Sequence, residues 1–172
     1  MATVTIRPLA ASTTIIEALA DLLVETVAHG GSVSFMHPLS REKAGAFWDA
    51  ALASAARGER IILGAFANET LVGTVTLVTA LPENQPHRAE IAKMMVRVSH
   101  RGQGLASALM RAAEAEARAL GRTHLMLDTA SDGGAARLYE RHGFVFAGEI
   151  PDFALKPQGG LTGTRLYWKR IG

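Results

Sequence analysis

The fold is decided by the stretch Val98-Ser99-His100-Arg101-Gly102-Gln103-Gly104-Leu105-Ala106-Ser107. It follows a run typical of a strand and opens a segment whose apolar residues recur at helical spacing. Glycines at positions 102 and 104 let the backbone approach a ligand closely, and the free N–H groups of a first helical turn favour an anion. The turn therefore predicts a pyrophosphate site, with Arg101 as an additional charged donor.

Two other phosphate-binding motifs fit this turn poorly. A Walker loop requires a lysine followed by Ser or Thr after the last glycine, where this chain has Leu105 and Ala106. A Rossmann fingerprint requires a third glycine, and position 107 is serine. A glycine turn that merely joins a strand to a helix remains an alternative at this point.

Composition narrows the class of protein. The 172 residues, 48% hydrophobic and 20% charged, predict one globular domain over residues 1–172. The absence of cysteine excludes disulfides, thiolate zinc sites, iron–sulfur clusters and a cysteine nucleophile, and no metal site is expected. The 18 Lys and Arg residues are scattered among 16 Asp and Glu, so nucleic acid is not an expected partner.

Membrane association is not expected either. No apolar run approaches the ~18 residues that a span requires. Arg7 and Pro8 interrupt the N-terminal segment where a signal peptide would need its apolar stretch. We therefore expect a cytoplasmic protein.

The pattern of elements predicts a mixed α/β fold in the order βααβββαβαββ. Strands are predicted at 3–6, 61–67, 71–79, 89–98, 124–129, 144–149 and 166–169, and helices at 14–28, 41–57, 106–120 and 134–142. An antiparallel N-terminal meander is followed by one βαβ crossover, which creates a cleft beside the strand ends. Ligands are expected in that cleft.

Two motifs together resemble the GNAT superfamily of acetyl-CoA-dependent N-acetyltransferases. Residues 101–106 fit its Q/R-x-x-G-x-G/A signature. The segment 132–144 resembles its second signature, N-x-x-A-x-x-L-Y-E-x-x-G-F, and reads Asp132-Gly133-Gly134-Ala135-Ala136-Arg137-Leu138-Tyr139-Glu140-Arg141-His142-Gly143-Phe144. The element order also fits the family's mixed central sheet, so the resemblance covers nearly the whole chain. Loop 30–35 and the residues around Glu90 are similar to the tabtoxin-resistance acetyltransferase and its relatives.

This resemblance implies acetyl-CoA as the cosubstrate. The implied contacts are Met94, Met95, Val96, Arg101, Gly102, Gln103, Gly104, Ala106, Ser107, Asp132, Ala135 and Leu138. Asp132 stands where the family commonly has Asn. Aspartate can still cap the following helix, but it cannot donate the hydrogen bond of an amide.

The resemblance also implies catalytic roles. The family places a tyrosine hydroxyl near the thioester sulfur, so Tyr139 is expected to protonate the coenzyme A thiolate; a packed core tyrosine is the alternative. Glu90 and Asp128 are candidates to attract and deprotonate a cationic amine, with a structural salt bridge as the alternative for each. Phe35 and Trp48 are expected to line the acceptor pocket, and a core role is the alternative for Trp48.

The expected function is transfer of acetyl from acetyl-CoA to a primary amine of a small molecule, an antibiotic or toxin amine among the candidates. Without cysteine no acetyl-cysteine intermediate can form, so direct attack in a ternary complex is expected. Two alternatives are an acyl-CoA-binding regulatory module without turnover and an enzyme that acetylates a protein N-terminus. Homodimers are common in the family that the chain resembles, so a second copy of the chain is among the expected partners.

Overall fold

The computed structural model describes residues 4–172, and within them the chain forms seven strands and four α-helices. The elements are β1 (Val4–Pro8), α1 (Thr13–Ala28), α2 (Arg41–Ala56), β2 (Arg60–Ala67), β3 (Thr70–Val78), β4 (Arg88–Val96), α3 (Leu105–Ala119), β5 (His124–Ala130), α4 (Ala136–Arg141), β6 (Val145–Leu155) and β7 (Leu161–Arg170). A short 3₁₀ turn, Val98–His100, lies between β4 and α3. The predicted mixed α/β fold is confirmed.

All seven strands join one sheet in the order β1-β2-β3-β4-β5-β7-β6. Neighbouring strands are antiparallel except β4 and β5, which run parallel because α3 carries the chain back across the sheet. α3 packs its apolar side, including Leu109 and Met110, on one face of the sheet. α1 and α2 cover the other face, where Leu22 and Trp48 are fully buried.

The parallel strands β4 and β5 pair over only part of their length. Arg88–Glu90 pairs with His124–Met126, and the strands separate beyond that point. A bulge in β4 causes the separation, because the register against β3 shifts there and Lys93 has a φ of +51°. The backbone of β4 from Ala92 to Val96 therefore faces a gap on the side of β5.

The last hairpin is longer than predicted. β6 and β7 extend over Val145–Leu155 and Leu161–Arg170, where 144–149 and 166–169 were predicted. β6 is an edge strand whose residues are almost all exposed, and its register against β7 shifts twice, the second time around Asp152. Without one buried face, the strand lacks the alternation by which strands are recognised.

Several other boundaries differ from the prediction by one or two residues. The fourth strand ends at Val96, two residues early, because the 3₁₀ turn begins at Val98. The short helix begins at Ala136 instead of residue 134. Residue 3 of the predicted first strand lies outside the described residues.

Within residues 4–172, no helix combines the length and apolar character that crossing a membrane takes.

Candidate active site

A cavity of about 660 Å³ opens where β4 and β5 separate. Its walls come from the α1–α2 loop, β4, the start of α3, β5 and the segment leading into α4. Ten residues predicted for the site line it, and they are Met94, Met95, Val96, Arg101, Ala106, Asp128, Asp132, Ala135, Leu138 and Tyr139. The structure thus brings together residues from both sequence motifs and both diverging strands.

The turn before α3 forms what we call the donor end of the cavity. Gly102 and Gly104 have φ values of +74° and +81°, which disfavour any side chain, although neither has a neighbouring atom where a Cβ would stand. No side chain caps α3, and its first backbone hydrogen bond runs from the N–H of Ala108 to the carbonyl of Gly104. The N–H groups of residues 105–107, in the first turn of the helix, therefore have no partner within α3 and are free to bind an anion.

Arg101 connects this turn to β4. Its Nε donates to the carbonyl of Val96 at 3.3 Å, and the residue lines the cavity. The remaining predicted residues of the turn, Gly102, Gln103 and Gly104, are exposed beside the cavity, and Ser107 is half-buried on the first turn of α3. The side chain of Gln103 is directed back into the turn, where it donates to the carbonyl of Ser99 at 3.3 Å.

Tyr139 on α4 lines the cavity although only 7% of the residue is exposed. Its ring packs near those of Phe144 and Tyr167, with centroids 6.2 and 6.3 Å away. Burial, assisted by the negative charge of Asp128, raises the pKa of Tyr139 to about 12. The phenol therefore keeps its proton throughout the physiological pH range, and the packed ring does not prevent it from facing the cavity.

Asp128 and Lys93 also line the cavity, and we call this part of it the acceptor end. Asp128 on β5 is exposed, and its Oδ2 accepts a hydrogen bond from Thr164 Oγ1 at 2.9 Å. Lys93 is half-buried, and its Nζ donates to Ser34 Oγ at 3.1 Å. Burial lowers the pKa of Lys93, while the charge of Asp128 acts in the opposite direction.

Sequence reasoning missed Lys93 and Ser34. A lysine in a strand is usually taken as solvent-facing, and the bulge that aims it into the cavity has no signal in the sequence. The glycine-rich loop that contains Ser34 was the available clue, since such loops often carry function.

Glu90 does not line the cavity. It forms a 2.9 Å ion pair with Arg88, which is the structural salt bridge left open as the alternative. The two carboxylate candidates are thus separated, and Asp128 alone lines the cavity.

The two aromatic acceptor candidates lie behind the cavity wall. Trp48 is fully buried between α1, α2 and the sheet, so its expected contact with an acceptor is wrong. Phe35 packs edge-on against Phe47, with ring centroids 5.2 Å apart, and its neighbours Val33 and Ser34 line the cavity in its place.

Asp132 lines the cavity but does not cap α4. Its carboxylate accepts from Thr162 Oγ1 at 2.8 Å and pairs with Lys156 Nζ at 3.1 Å. These contacts, with the Thr162 hydrogen bond the larger cause, lower the pKa of Asp132. Ala135 occupies the N-cap position of α4 without a side-chain hydrogen bond.

Across residues 4–172, no group of three His, Asp or Glu side chains is arranged to hold a metal ion.

Residues 18–144 match the model of the Acetyltransferase (GNAT) family. The chain belongs to this family. It is therefore an acyltransferase, and acetyl-CoA is its cosubstrate. The narrower resemblance to the tabtoxin-resistance acetyltransferase stays a prediction.

Solved structures share the fold at low sequence identity. The GNAT superfamily phosphinothricin acetyltransferase from Sinorhizobium meliloti, in complex with acetyl-CoA, is 18% identical, with a TM-score of 0.79 over 99% of this chain and 89% of its own. The ribosomal-protein-alanine N-acetyltransferase from Brucella melitensis is 20% identical, with a TM-score of 0.81 over 96% and 99%. An acetyltransferase-like protein from Salmonella typhimurium, solved with its cofactor acetyl-CoA, is 19% identical, with a TM-score of 0.79 over 98% and 94%.

Proposed function

We propose that this GNAT enzyme transfers acetyl from acetyl-CoA to the primary amine of a small molecule by direct attack in a ternary complex. The observation that carries the proposal is the shared cavity. Arg101 and the free amides before Ala108 lie at its donor end, Asp128 lies at its acceptor end, and Tyr139 lines it within electrostatic reach of Asp128.

The donor end suits the pyrophosphate of coenzyme A, and the adjoining parts of β4 and α4 suit its pantetheine. Free N–H groups, the positive end of the α3 dipole and the Arg101 guanidinium favour a phosphate anion. The unpaired backbone of β4 can pair with the pantetheine amides as an added strand would. Met94, Val96, Ala135 and Leu138 supply apolar contacts along that path.

In the reaction, the neutral amine nitrogen attacks the thioester carbonyl carbon. The C–N bond forms, the C–S bond breaks and the sulfur leaves as a thiolate, which takes the proton of the Tyr139 hydroxyl. An ammonium acceptor loses one proton to water before attack. The nitrogen loses a second proton as the amide forms, and this second proton returns through solvent to the phenolate oxygen of Tyr139. One proton is released per turnover.

The high pKa of Tyr139 defines how it can act. A thiol has an ordinary pKa of about 8.5, so transfer of a proton from a phenol with a pKa of about 12 to the departing thiolate is unfavourable by itself and has to be coupled to the return of the second amine proton to the phenolate oxygen. Tyr139 therefore acts first as a hydrogen-bond donor to the sulfur and gives up its proton as the C–S bond breaks.

Contacts across the acceptor end support a small acceptor. The carbonyl of Pro157, in the β6–β7 turn, accepts from the N–H of His37 at 2.9 Å. Gln158 Nε2 donates to the carbonyls of Val27 and Ala28 at 3.3 and 3.2 Å. These bonds tie the hairpin turn to both ends of the α1–α2 loop, which narrows the approach for a peptide chain.

The test combines binding and turnover. Calorimetry measures acetyl-CoA binding, and a coupled thiol-release assay measures turnover over small amines, polyamines and peptides with free N-termini. We expect sub-millimolar binding and turnover of a small amine. Binding without turnover of any acceptor would favour the regulatory module, and turnover of peptides alone would favour N-terminal acetylation of proteins.

A homodimer is part of the proposal, and exposed apolar residues on the edge hairpin support it. Phe153, Leu155 and Leu161 are each more than half exposed. Light scattering coupled to size-exclusion chromatography should give twice the chain mass, and Phe153→Asp should give the monomer mass. A wild-type monomer at micromolar concentration would contradict the dimer.

A further inference from the structure

The acceptor end of the cavity contains two opposite charges without ion-pair partners. Within the described part of the chain, neither Lys93 nor Asp128 lies within 4.0 Å of an oppositely charged group. Lys156, another lysine lining the cavity, is paired with Asp132. Lys93 and Asp128 are nevertheless close enough for the charge of Asp128 to act on Lys93.

Backbone strain fixes the position of Lys93. Among residues 4–172, four non-glycine residues have a positive φ: Ser34 (+74°), Asn68 (+53°), Lys93 (+51°) and Asp152 (+52°). Asn and Asp tolerate this conformation, whereas Ser and Lys adopt it rarely.

The two unusual members of this set are hydrogen-bonded to each other across 59 positions of sequence. Strained backbone persists only where the surrounding structure holds it, and such residues cluster at ligand sites. Two independent distortions, one in the α1–α2 loop and one in β4, thus converge on a single Lys93–Ser34 contact in the cavity wall.

The ammonium group of Lys93 is also held from the side of α2. Its Nζ lies 5.7 Å from the ring centroid of Phe47, a cation–π contact. Neither Ser34 nor Phe47 neutralises the charge, so an anion in the cavity would find a positioned donor. Asp128, which accepts only a neutral hydroxyl from Thr164, is the complementary site for a cation.

We infer that Lys93, positioned by Ser34, binds the carboxylate of the acceptor while Asp128 binds its amino group. Resting on the proposed function, this assigns the acceptor to the class of small zwitterionic amines, which are amino acids and their close analogues. Polyamines and other polycations are disfavoured because they bring a second positive charge to Lys93.

The inference is tested with matched acceptors. Purified protein with saturating acetyl-CoA is assayed by thiol release on the twenty amino acids, their methyl esters and the corresponding decarboxylated amines. We expect kcat/KM to be about 30-fold higher for the preferred amino acid than for its ester, the range of a charge-assisted contact. Esters or decarboxylated amines turned over as well as the acids would overturn the inference.

Substitution at Lys93 separates recognition from folding. Lys93→Gln should lower kcat/KM for the amino acid much more than for its ester, so that the two values become similar, while Lys93→Arg should restore most of the preference. Lys43→Gln, at an exposed lysine on α2, is the matched control and should change neither value. Equal losses for acid and ester in Lys93→Gln, with acetyl-CoA affinity preserved, would also overturn the inference.

Acetyl-CoA binding distinguishes the two levels of failure. If acetyl-CoA binds and amines without a carboxylate are the better substrates, the inference fails and the proposed function stands. If no amine on the panel is acetylated, the proposed function fails, and the acceptor assignment fails with it.

Discussion

The two ends of the cavity are built in different ways. The donor end consists of one continuous segment, residues 101–107, and offers mainly backbone N–H groups. The acceptor end combines Ser34, Lys93 and Asp128 from a loop and two strands, and offers side chains. A family that keeps one cosubstrate and changes acceptors would be expected to divide its site in this way. A substitution leaves a backbone N–H donor in place, whereas it replaces the side chain and the contacts that the side chain makes.

The two ends of the cavity also differ in backbone conformation. At the donor end, positive φ values fall on glycines, for which they carry little strain. At the acceptor end the positive φ values fall on Ser34 and Lys93. The contacts at this end are made by side chains, so glycine cannot replace these residues and their backbone is strained. Substitutions at the two ends should therefore have separable effects on acetyl-CoA affinity and on use of the acceptor.

The largest effect is expected at Tyr139, which lines the cavity close enough to Asp128 to feel its charge. Tyr139→Phe removes the donor to the departing sulfur and should lower kcat by about 100- to 1,000-fold, with the Kd for acetyl-CoA changed by less than about twofold. Steady-state kinetics and calorimetry measure the two values. Tyr167→Phe is the matched control, since the hydroxyl of Tyr167 donates to Glu140 and the residue does not line the cavity. Full turnover in Tyr139→Phe would show that this residue is not the acid.

The pKa of Tyr139 predicts a pH dependence of stability. Its folded value of about 12 lies above the ordinary value of 10.0, so between these pH values the folded state holds a proton that the unfolded state has lost. The free energy of unfolding should therefore fall as pH rises from 10 to 12, by up to about 1.4 kcal/mol per pH unit from this group. Denaturant unfolding should show a shallower fall in Tyr139→Phe, and absorbance at 295 nm should show the loss of a late-titrating tyrosine. An equally steep fall in both proteins would contradict the assignment.

At the donor end, Arg101→Gln should raise the Kd for acetyl-CoA by about 30-fold, because a charge-assisted hydrogen bond to phosphate is lost. The kcat at saturating acetyl-CoA should remain within about twofold. Calorimetry and initial rates check the two expectations. Arg111→Gln, an exposed arginine on α3, is the control and should bind normally. A fall in kcat without a change in Kd would place Arg101 in the chemistry instead.

At the acceptor end, Asp128→Asn should lower kcat/KM for the amine by about 10-fold and leave acetyl-CoA affinity unchanged. The amide oxygen of asparagine can still accept from Thr164, so the fold should be preserved. Glu90→Gln provides the comparison, because Glu90 is paired with Arg88 away from the cavity, and it should lose less than about twofold. Rates measured with varied amine decide between the two carboxylates, and the larger loss in Glu90→Gln would reverse the assignment.

The smallest effect is expected at Asp132. Asp132→Asn introduces the residue common in the family motif and weakens a part-buried hydrogen bond to Thr162 and an exposed ion pair with Lys156. Such contacts contribute little free energy to holding the segment before α4 in place, so acetyl-CoA affinity should change by less than about threefold. Thr162→Val removes only the hydroxyl partner of Asp132, and it should change acetyl-CoA affinity by as little as Asp132→Asn does. A 10-fold gain in affinity for Asp132→Asn would show that position 132 contacts the cosubstrate directly.

The donor end could be predicted from sequence because its determinants are local. Positive φ values favour glycine at positions 102 and 104. The free N–H groups belong to the first turn of α3, which follows these glycines directly in the sequence. Trp48 and Glu90 could not be placed in this way. Their roles depend on neighbours distant in sequence or on packing between elements, and an apolar or acidic residue has the same local pattern in a core, an ion pair or a pocket.

The sequence by itself determined the family, the order of strands and helices, the cosubstrate and the turn that would hold it, because these follow from hydrophobic period, glycine conformation and short-range motifs. The tertiary structure alone decided that Asp128 and not Glu90 lines the cavity, and that Lys93 joins it. The physical reason is the bulge in β4, which separates two parallel strands and turns a lysine toward a loop 59 residues earlier in the chain.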